Sequence, residues 1–222
     1  MKVLVVGGGG REHAICWKLA QSPKVTELYC APGNAGIADV AKCVDVSAED
    51  IDGICSFAAD KKIDLAVIGP EVPLAMGIVD RLEAAGVRTF GPNAKCSQLE
   101  ASKSFTKTFL AKHGIPTAGY KEFTDKDELL KNVGIYGYPM VLKADGLAAG
   151  KGVVIAETEE AAKEAIEEMM GQRVFGAAAD KIVVEEFLTG VEMCIRDSRY
   201  PMAKEDLSPS RRCWRESLPM DR

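Results

Sequence analysis

The sequence has few of the residues from which proteins build zinc sites. Its 222 residues include two histidines and seven cysteines, and no two cysteines form a C-x-x-C pair. Zinc sites need closely spaced cysteine and histidine ligands, so we expect none. An odd cysteine count is typical of a reducing compartment. We therefore expect a cytoplasmic protein whose cysteines are mostly ordinary core residues.

Long apolar runs and a strong charge of one sign are also lacking. No stretch of about 18 apolar residues occurs, so no membrane-spanning helix is predicted. The net charge is −5, and no general affinity for nucleic acid is expected. The start, MKVLVVGGGG, is too short and too rich in glycine for a signal peptide. The apolar share of 47% is ordinary for a globular protein with a core.

The composition changes near the end of the chain. Residues 1–192 contain 17 lysines and 4 arginines, whereas residues 193–222 contain 1 lysine, 6 arginines and three prolines. No periodic apolar pattern is present in the last segment, so we expect residues 193–222 to lack a fixed fold. An artefactual end is the favoured explanation. The alternative is a genuine basic tail that contacts a partner.

Strands and helices alternate in the first hundred residues. Apolar runs at 2–6, 26–30, 63–69 and 87–91 are typical of buried parallel strands. Helices are expected at 11–21, from a cap at Ser47 and Asp50 through residue 60, and after a loop that follows residue 70. APGNAG (31–36) is expected to be a loop. This order predicts an open parallel α/β sheet of Rossmann-like type over residues 1–100.

The next ninety residues predict a small α+β unit. A helix is expected over 93–113, because Gly114 and Pro116 follow it. A strand near 119–123, a helix at 125–132, a helix at 158–170 and a strand at 181–187 complete the pattern.

VLKADGLAAGKGVVIA (141–156) is a glycine-rich segment between two apolar runs. It is not a Walker loop, because three residues instead of four separate Gly146 from Gly150, and Gly152 stands where a hydroxyl is needed. The β-branched run that follows predicts a strand, so we expect a glycine-rich hairpin.

VLVVGGGGREHA (3–14) has the position of a dinucleotide fingerprint, after a strand and before a helix. Its spacing is wrong, because Glu12 occupies the place of the third glycine. The glycines either turn the chain or leave free N–H groups for an anion, with Arg11 and His13 beside it. GPEVP (69–73) and GPN (91–93) follow strands at the edge where ligands bind, although simple turns would explain them too.

Several motifs occur together in one order: GGGGREHA (7–14), PGNAG (32–36), GPEVPLAMGIVD (69–80), SKSFTKTFL (102–110), LKADGLAAGKGV (142–153) and VVEEFLTGVE (183–192). Together they resemble the phosphoribosylamine–glycine ligases, also called glycinamide ribonucleotide synthetases, of the ATP-grasp superfamily. The resemblance implies an N-terminal pre-ATP-grasp substrate-binding domain (1–100) and a partial ATP-grasp domain (101–192). The latter would consist of a linker helix (101–113) and an ATP-lid subdomain (117–192).

This family joins glycine to 5-phosphoribosylamine, using ATP and Mg²⁺, through a glycyl phosphate in purine biosynthesis. The resemblance implies that lysines neutralise the phosphates, that the hairpin closes over them, and that the end of the last strand holds the nucleoside. The implied ATP contacts are Lys103, Lys143, Asp145, Gly146, Gly150, Lys151, Gly152, Glu185, Glu186, Phe187, Leu188 and Glu192. From the residues alone, surface lysines and a solvated charge pair at the strand end remain alternatives.

The resemblance also implies a phosphoribosylamine site on the first domain, at Gly9, Gly10, Arg11, Asn34, Gly36 and Glu71. No catalytic residue is assigned. The Mg²⁺ ligands of the family lie beyond residue 192, where the resemblance stops, so we expect a chain that is inactive alone. Small molecules are the expected partners.

Three other functions remain open. The chain could belong to another ATP-grasp carboxylate–amine ligase, or it could be a non-catalytic nucleotide-binding module with an arginine-rich tail. A nicotinamide dehydrogenase is the weakest alternative, because the glycine spacing is wrong and no acidic residue follows the second strand.

Overall fold

The first sheet of the protein is parallel and has five strands. The computed structural model describes residues 1–147 and 152–190. The strands lie in the order β3-β2-β1-β4-β5. Their bounds are Lys2–Gly7 (β1), Glu27–Pro32 (β2), Lys42–Cys43 (β3), Leu65–Ile68 (β4) and Arg88–Phe90 (β5). In register, Val5 pairs with Cys30 on one side and with Val67 on the other.

Helices cover both faces of this sheet, as the continuous apolar strands predict. Leu4 and Val6 pack in one core with Ile54 and Leu82, while Val3 packs on the opposite face with Cys16. The predicted open parallel α/β fold is therefore confirmed. The helices are Gly10–Ala20 (α1), Ala35–Ala38 (α2), Ile51–Lys61 (α3), Glu71–Ala75 (α4), Ile78–Ala84 (α5), Ala94–Ala101 (α6) and Lys103–Lys112 (α7).

Several local predictions in this half are wrong. The expected loop at 31–36 instead holds the end of β2 and the start of α2, which Asn34 caps by accepting a hydrogen bond from Ile37 N (2.9 Å). Asp50 alone caps α3, at 2.9 Å from Gly53 N, while Ser47 accepts from Glu49 N. The single helix expected after residue 70 is two, because Gly77 between them has a left-handed φ of +85°.

The second sheet is antiparallel and has four strands, in the order β6-β9-β7-β8. Helices and turns cover one face, where Phe123, Met140, Leu142 and Ile166 form the core. The elements are Tyr120–Phe123 (β6), Lys126–Lys131 (α8), Met140–Ala144 (β7), Val153–Ala156 (β8), Glu159–Ile166 (α9), a π-helical turn Glu167–Gly171, a 3-10 turn Gly176–Asp180 and Ile182–Glu186 (β9). The predicted α+β unit is confirmed.

β7 and β8 form the predicted glycine-rich hairpin. They pair antiparallel, with Lys143 opposite Val153, and Ala144 N donates to Gly152 O at 2.8 Å. Gly150 and Lys151 lie outside the described residues. So does the segment 193–222, and its expected lack of a fold stays a prediction.

The cysteine prediction is wrong for the part of the chain that the structure describes. Cys16 and Cys30 are buried, but Cys55 is half-buried, and Cys43 and Cys96 are exposed. All five are free thiols. Among the helices of the described residues, none has the length and hydrophobicity that a membrane span requires.

Candidate nucleotide and substrate sites

A cavity of about 380 Å³ lies where α6 and α7 approach the second sheet. One face of that sheet and the two helices provide its walls. Both lysines that the motifs single out, Lys103 and Lys143, line it, although they come from a helix start and a strand 40 residues apart in sequence. The lining residues are Leu99, Glu100, Lys103, Thr106, Lys107, Leu110, Thr117, Lys143 and Glu185.

Lys103 is the first residue of α7 and reaches across to the hairpin. Ser102 caps the helix by accepting a hydrogen bond from Phe105 N (3.1 Å). The ammonium of Lys103 donates to Gly146 O at 2.8 Å. Burial lowers the pKa of Lys103, and the nearby charge of Lys143 adds to this effect. Lys103 is half-buried and forms no ion pair with another described residue, and such a cation favours an anionic ligand.

Lys143 lies on β7 beside Glu185 of β9. Val141 pairs with Glu185 and Lys143 with Val183, so all four side chains share the sheet face that lines the cavity. The ammonium of Lys143 lies 2.9 Å from Glu185 Oε2. Glu185 is 5% exposed, so its carboxylate is a buried partner instead of the solvated charge that the bare sequence suggests.

Sequence reasoning missed Lys107, a third lysine in the same cavity. It is 6% exposed, and its Nζ lies 2.9 Å from Glu185 Oε2. It also donates to Thr117 Oγ1 (2.8 Å) and Ala118 O (3.2 Å). A signal was present, because Lys107 follows Lys103 by four residues and four-residue spacing places two side chains on one helix face.

Asp145 connects the start of the hairpin to the start of α7 through hydrogen bonds. One carboxylate oxygen accepts from Ser104 N and from Ser102 Oγ, both at 3.2 Å. Its backbone N–H donates to Lys181 O at 2.9 Å. Gly146 follows with a φ of +130°, a backbone conformation that favours glycine. The side chain of Asp145 therefore orients Lys103 and the loop.

The end of β9 carries the other expected ATP contacts. Glu186 is exposed, and its backbone N–H donates to Gly119 O at 2.9 Å while its carboxylate accepts from Gly119 N at 3.2 Å. That N–H is thus already used within the protein. Phe187 is half-buried. Leu188 is exposed, and Glu192 lies outside the described residues.

The expected phosphoribosylamine contacts gather at the carboxyl edge of the parallel sheet. Arg11, at the start of α1, donates to Glu71 Oε1 of α4 at 3.0 Å. This hydrogen bond lowers the pKa of Glu71. Asn34 Nδ2 donates to Gly8 O at 2.8 Å and so joins the loops after β1 and β2. Gly36 lies beside the ring of His13.

Glu12 explains why the first glycine run does not follow the dinucleotide spacing. Its side chain is 4% exposed and packs against Gly7 and Gly69. Oε2 accepts from Gly9 N at 2.6 Å, whereas Oε1 is buried without a hydrogen-bond partner among the described residues. A protein carboxylate thus occupies a helix N-terminus that commonly binds phosphate. Gly10 begins the helix.

Glu100 connects the two groups of residues. It lines the larger cavity and also a small cavity of about 40 Å³ next to Glu71.

No set of three or more histidine, cysteine, aspartate or glutamate residues in the described ranges, 1–147 and 152–190, is placed to hold a metal ion.

Two family models match consecutive parts of the chain. The model described as phosphoribosylglycinamide synthetase, N domain, matches residues 1–100. The model described as phosphoribosylglycinamide synthetase, ATP-grasp (A) domain, matches residues 101–199.

Curated relatives agree with the family models. A phosphoribosylamine–glycine ligase of Xanthomonas campestris is 54% identical over 194 residues, which are 86% of this chain and 45% of the relative. One of Caldanaerobacter subterraneus is 52% identical over 195 residues, 88% of this chain and 47% of the relative. The chain thus spans about half the length of the curated relatives it matches.

Solved structures show the same architecture. The phosphoribosylamine–glycine ligase of Thermotoga maritima aligns with a TM-score of 0.71 and 31% identity, over 86% of this chain and 45% of that one. The biotin carboxylase domain of Hydrogenobacter thermophilus 2-oxoglutarate carboxylase, solved with MgADP, aligns with a TM-score of 0.68 over 84% of this chain and 44% of that one. At 19% identity, the second likeness shows the fold alone.

A parallel α/β sheet followed by an antiparallel sheet with a glycine-rich hairpin beside a lysine-lined cavity defines the ATP-grasp class of proteins. The two models and the relatives go further, and the resemblance of the sequence motifs is confirmed. The chain belongs to the phosphoribosylglycinamide synthetase family.

Proposed function

We propose that the chain is the N-terminal part of a ligase that joins glycine to 5-phosphoribosylamine at the expense of ATP. The product would be glycinamide ribonucleotide, an intermediate of purine biosynthesis. The observation that carries this proposal is that Lys103 and Lys143 line one cavity beside the glycine-rich hairpin, in a chain 54% identical over 194 residues to a phosphoribosylamine–glycine ligase. A cytoplasmic location is part of the proposal.

ATP is the proposed occupant of the larger cavity. The ammonium groups of Lys103 and Lys143 would neutralise phosphate oxygens, because charge-assisted hydrogen bonds are the stronger ones. Small residues in the hairpin would let backbone N–H groups approach the phosphates. The proposed further contacts are Asp145, Gly146, Gly150, Lys151 and Gly152 in the hairpin, and Glu185, Glu186, Phe187, Leu188 and Glu192 around the nucleoside.

The proposed reaction has two steps. First, a carboxylate oxygen of glycine attacks the γ-phosphorus, the bond to the β–γ bridging oxygen breaks, and ADP leaves. Then the amine of phosphoribosylamine attacks the acyl carbon, the C–O bond to phosphate breaks, and the nitrogen loses a proton. Phosphate replaces oxide as the leaving group, which is why the acyl phosphate is useful. The lysines position the phosphates and neutralise charge.

Phosphoribosylamine is the proposed ligand of the carboxyl edge of the parallel sheet. The contacts would come from Gly9, Gly10, Arg11, Asn34, Gly36 and Glu71. Because Glu12 already places a carboxylate on Gly9 N, a phosphate is disfavoured at that N–H, and Arg11 is the better phosphate contact. Glu71 would accept a hydrogen bond from a ribose hydroxyl.

Mg²⁺ is the proposed metal of the complete enzyme, where it would neutralise charge on the phosphates. Its protein ligands would lie beyond residue 192, as the resemblance of the motifs implies. No step above depends on it.

A fusion of residues 1–192 to the remaining part of the Xanthomonas campestris enzyme tests the proposed function. We expect ADP release that requires both glycine and phosphoribosylamine and that is lost in Lys143→Met. Release with another carboxylic acid at a similar rate would favour a different ATP-grasp ligase. The chain of 222 residues alone should release no ADP in response to glycine, and turnover that depends on Lys143 would contradict this.

A further inference from the structure

Two ammonium groups share one buried carboxylate oxygen in the larger cavity. Lys107 Nζ and Lys143 Nζ each lie 2.9 Å from Glu185 Oε2. A single carboxylate balances one positive charge. One of the two lysines therefore carries a charge that Glu185 does not neutralise.

Burial decides which lysine depends on Glu185. The side chain of Lys107 is 8% exposed, and its other partners, Thr117 Oγ1 and Ala118 O, are uncharged. The side chain of Lys143 is 28% exposed and faces the cavity. An ammonium that is removed from water needs an ionic partner far more than one that water or a ligand can reach. Glu185 is thus the counter-ion of Lys107.

The remaining charged groups of the cavity do not change this balance. Lys103 donates to the carbonyl oxygen of Gly146, and Glu100 is exposed to solvent. In the described part of the chain, neither Lys103 nor Glu100 forms an ion pair or a hydrogen bond with Glu185.

We propose that Lys107 is a positioning residue of the nucleotide site. Its ammonium neutralises the carboxylate of Glu185, which leaves the ammonium of Lys143 available to a phosphate oxygen. Lys107 itself does not contact the nucleotide. The identity of the ligand rests on the proposed function, whereas the division of charge among the three side chains does not.

Loss of Lys107 should therefore weaken the site although it removes a group that does not touch the ligand. In Lys107→Met, Lys143 is the one ionic partner that Glu185 keeps among the described residues, and a phosphate must compete with a full ion pair. When Glu185→Gln is added, no buried carboxylate competes for Lys143. The second substitution should then rescue the first.

Calorimetric titration of the chain with a non-hydrolysable ATP analogue tests this rescue in four proteins: wild type, Lys107→Met, Glu185→Gln and the double variant. We expect about tenfold weaker binding in Lys107→Met than in wild type, whereas adding Lys107→Met to Glu185→Gln should change the affinity by less than about threefold. If Lys107 contacts the phosphates, Lys107→Met will weaken binding about equally in both backgrounds. If Lys107 serves stability alone, Lys107→Met will lower Tm at unchanged affinity. Either result overturns the proposal.

Two further comparisons keep the test decisive. The double variant leaves no buried ion unpaired, so it is compared with Glu185→Gln if Lys107→Met does not fold. If the chain binds no nucleotide, the rate of acetylation of Lys143, measured by mass spectrometry against Lys163, still tests the charge division. We expect slower acetylation in Lys107→Met and recovery in the double variant. An unchanged rate overturns the proposal.

Discussion

The ammonium of Lys103 lies 2.8 Å from the carbonyl oxygen of Gly146, 43 residues further along the chain. This hydrogen bond joins the first turn of α7 to the start of the glycine-rich hairpin. It holds a half-buried cation that has no ionic partner among the residues that the structure describes, so the position of Lys103 depends on the backbone conformation of Gly146.

Gly146→Ala should disturb both stability and nucleotide binding. The φ of +130° strains any residue with a Cβ, and the added atom would lie 3.1 Å from Ala178 Cβ. We expect the free energy of unfolding to fall by about 1–3 kcal/mol and the affinity for an ATP analogue to fall with it. Gly86→Ala is the matched control, because Gly86 also has a positive φ, of +82°, but has open space around it. An equal loss of affinity in both variants would contradict a local role for Gly146.

Gly69→Ala should destabilise the first sheet through Glu12. A Cβ at Gly69 would lie 2.1 Å from Glu12 Oε1, and Glu12 cannot move without losing its bond to Gly9 N. We expect a loss of about 2 kcal/mol in urea denaturation. Gly10→Ala, where a Cβ meets no atom within 4 Å, should cost little. In a Glu12→Ala background the Gly69→Ala cost should shrink, and a cost that stays the same would argue against this packing.

Nucleotide binding should take up protons in alkaline buffer. The pKa of Lys103 is lowered by burial, so between that pKa and the ordinary lysine value of 10.5 its side chain is largely neutral in the nucleotide-free protein. A bound phosphate favours the charged form and raises the pKa again. Titration calorimetry in buffers of different ionisation enthalpy should show proton uptake in wild type and less in Lys103→Met. Equal uptake in both proteins would assign the proton elsewhere.

The same shift has a consequence for stability. The folded protein releases the proton of Lys103 at a lower pH than the unfolded chain. Below the lowered pKa, the buried ammonium of Lys103 therefore destabilises the folded protein most. The contribution of Lys103 to the free energy of unfolding should therefore become less unfavourable as pH rises from that pKa toward 10.5. Denaturation of wild type and Lys103→Met over this range measures the difference.

Arg11→Ala should affect ligand binding more than stability. Arg11 and Glu71 are exposed at 66% and 42% of their side chains, so their ion pair contributes at most about 1 kcal/mol. We expect a nearly unchanged Tm and clearly weaker binding of ribose 5-phosphate, measured by calorimetry. Arg81→Ala, which breaks the similarly exposed pair with Asp52 at 2.6 Å, should leave ribose 5-phosphate binding intact. Equal effects of the two variants would remove Arg11 from the proposed site.

The sequence predicted those strands and turns that are determined by residues close together in the chain, such as β1 and the glycine-rich hairpin. The run at 2–6 is apolar without interruption because β1 lies in the centre of a sheet covered on both faces. The strand–loop–strand order around Gly152 likewise predicted the hairpin. Gly77, where α4 and α5 separate, could have been recognised as a helix break from its residue type alone.

Features that depend on distant contacts were not predictable in this way. The interval 93–113 has a continuous helical pattern and predicted one helix. The structure has two helices, α6 and α7, separated at Ser102, whose hydroxyl contacts Asp145. Lys107 has the pattern of a surface lysine, and its role becomes visible when folding brings Glu185 next to it. Glu12 violated the dinucleotide spacing, but its burial against Gly69 required the sheet.

Binding of a non-hydrolysable ATP analogue to the chain and to three lysine variants tests the central claim most directly. Lys103→Met and Lys143→Met each remove a cation that faces the cavity, whereas Lys163→Met removes a lysine of α9 that pairs with Glu159. Charge-assisted hydrogen bonds contribute about 1.5–3 kcal/mol. We therefore expect affinity to fall at least about tenfold in each of the first two variants and to stay unchanged in the third. Wild-type affinity in Lys103→Met and Lys143→Met would contradict a nucleotide site between them.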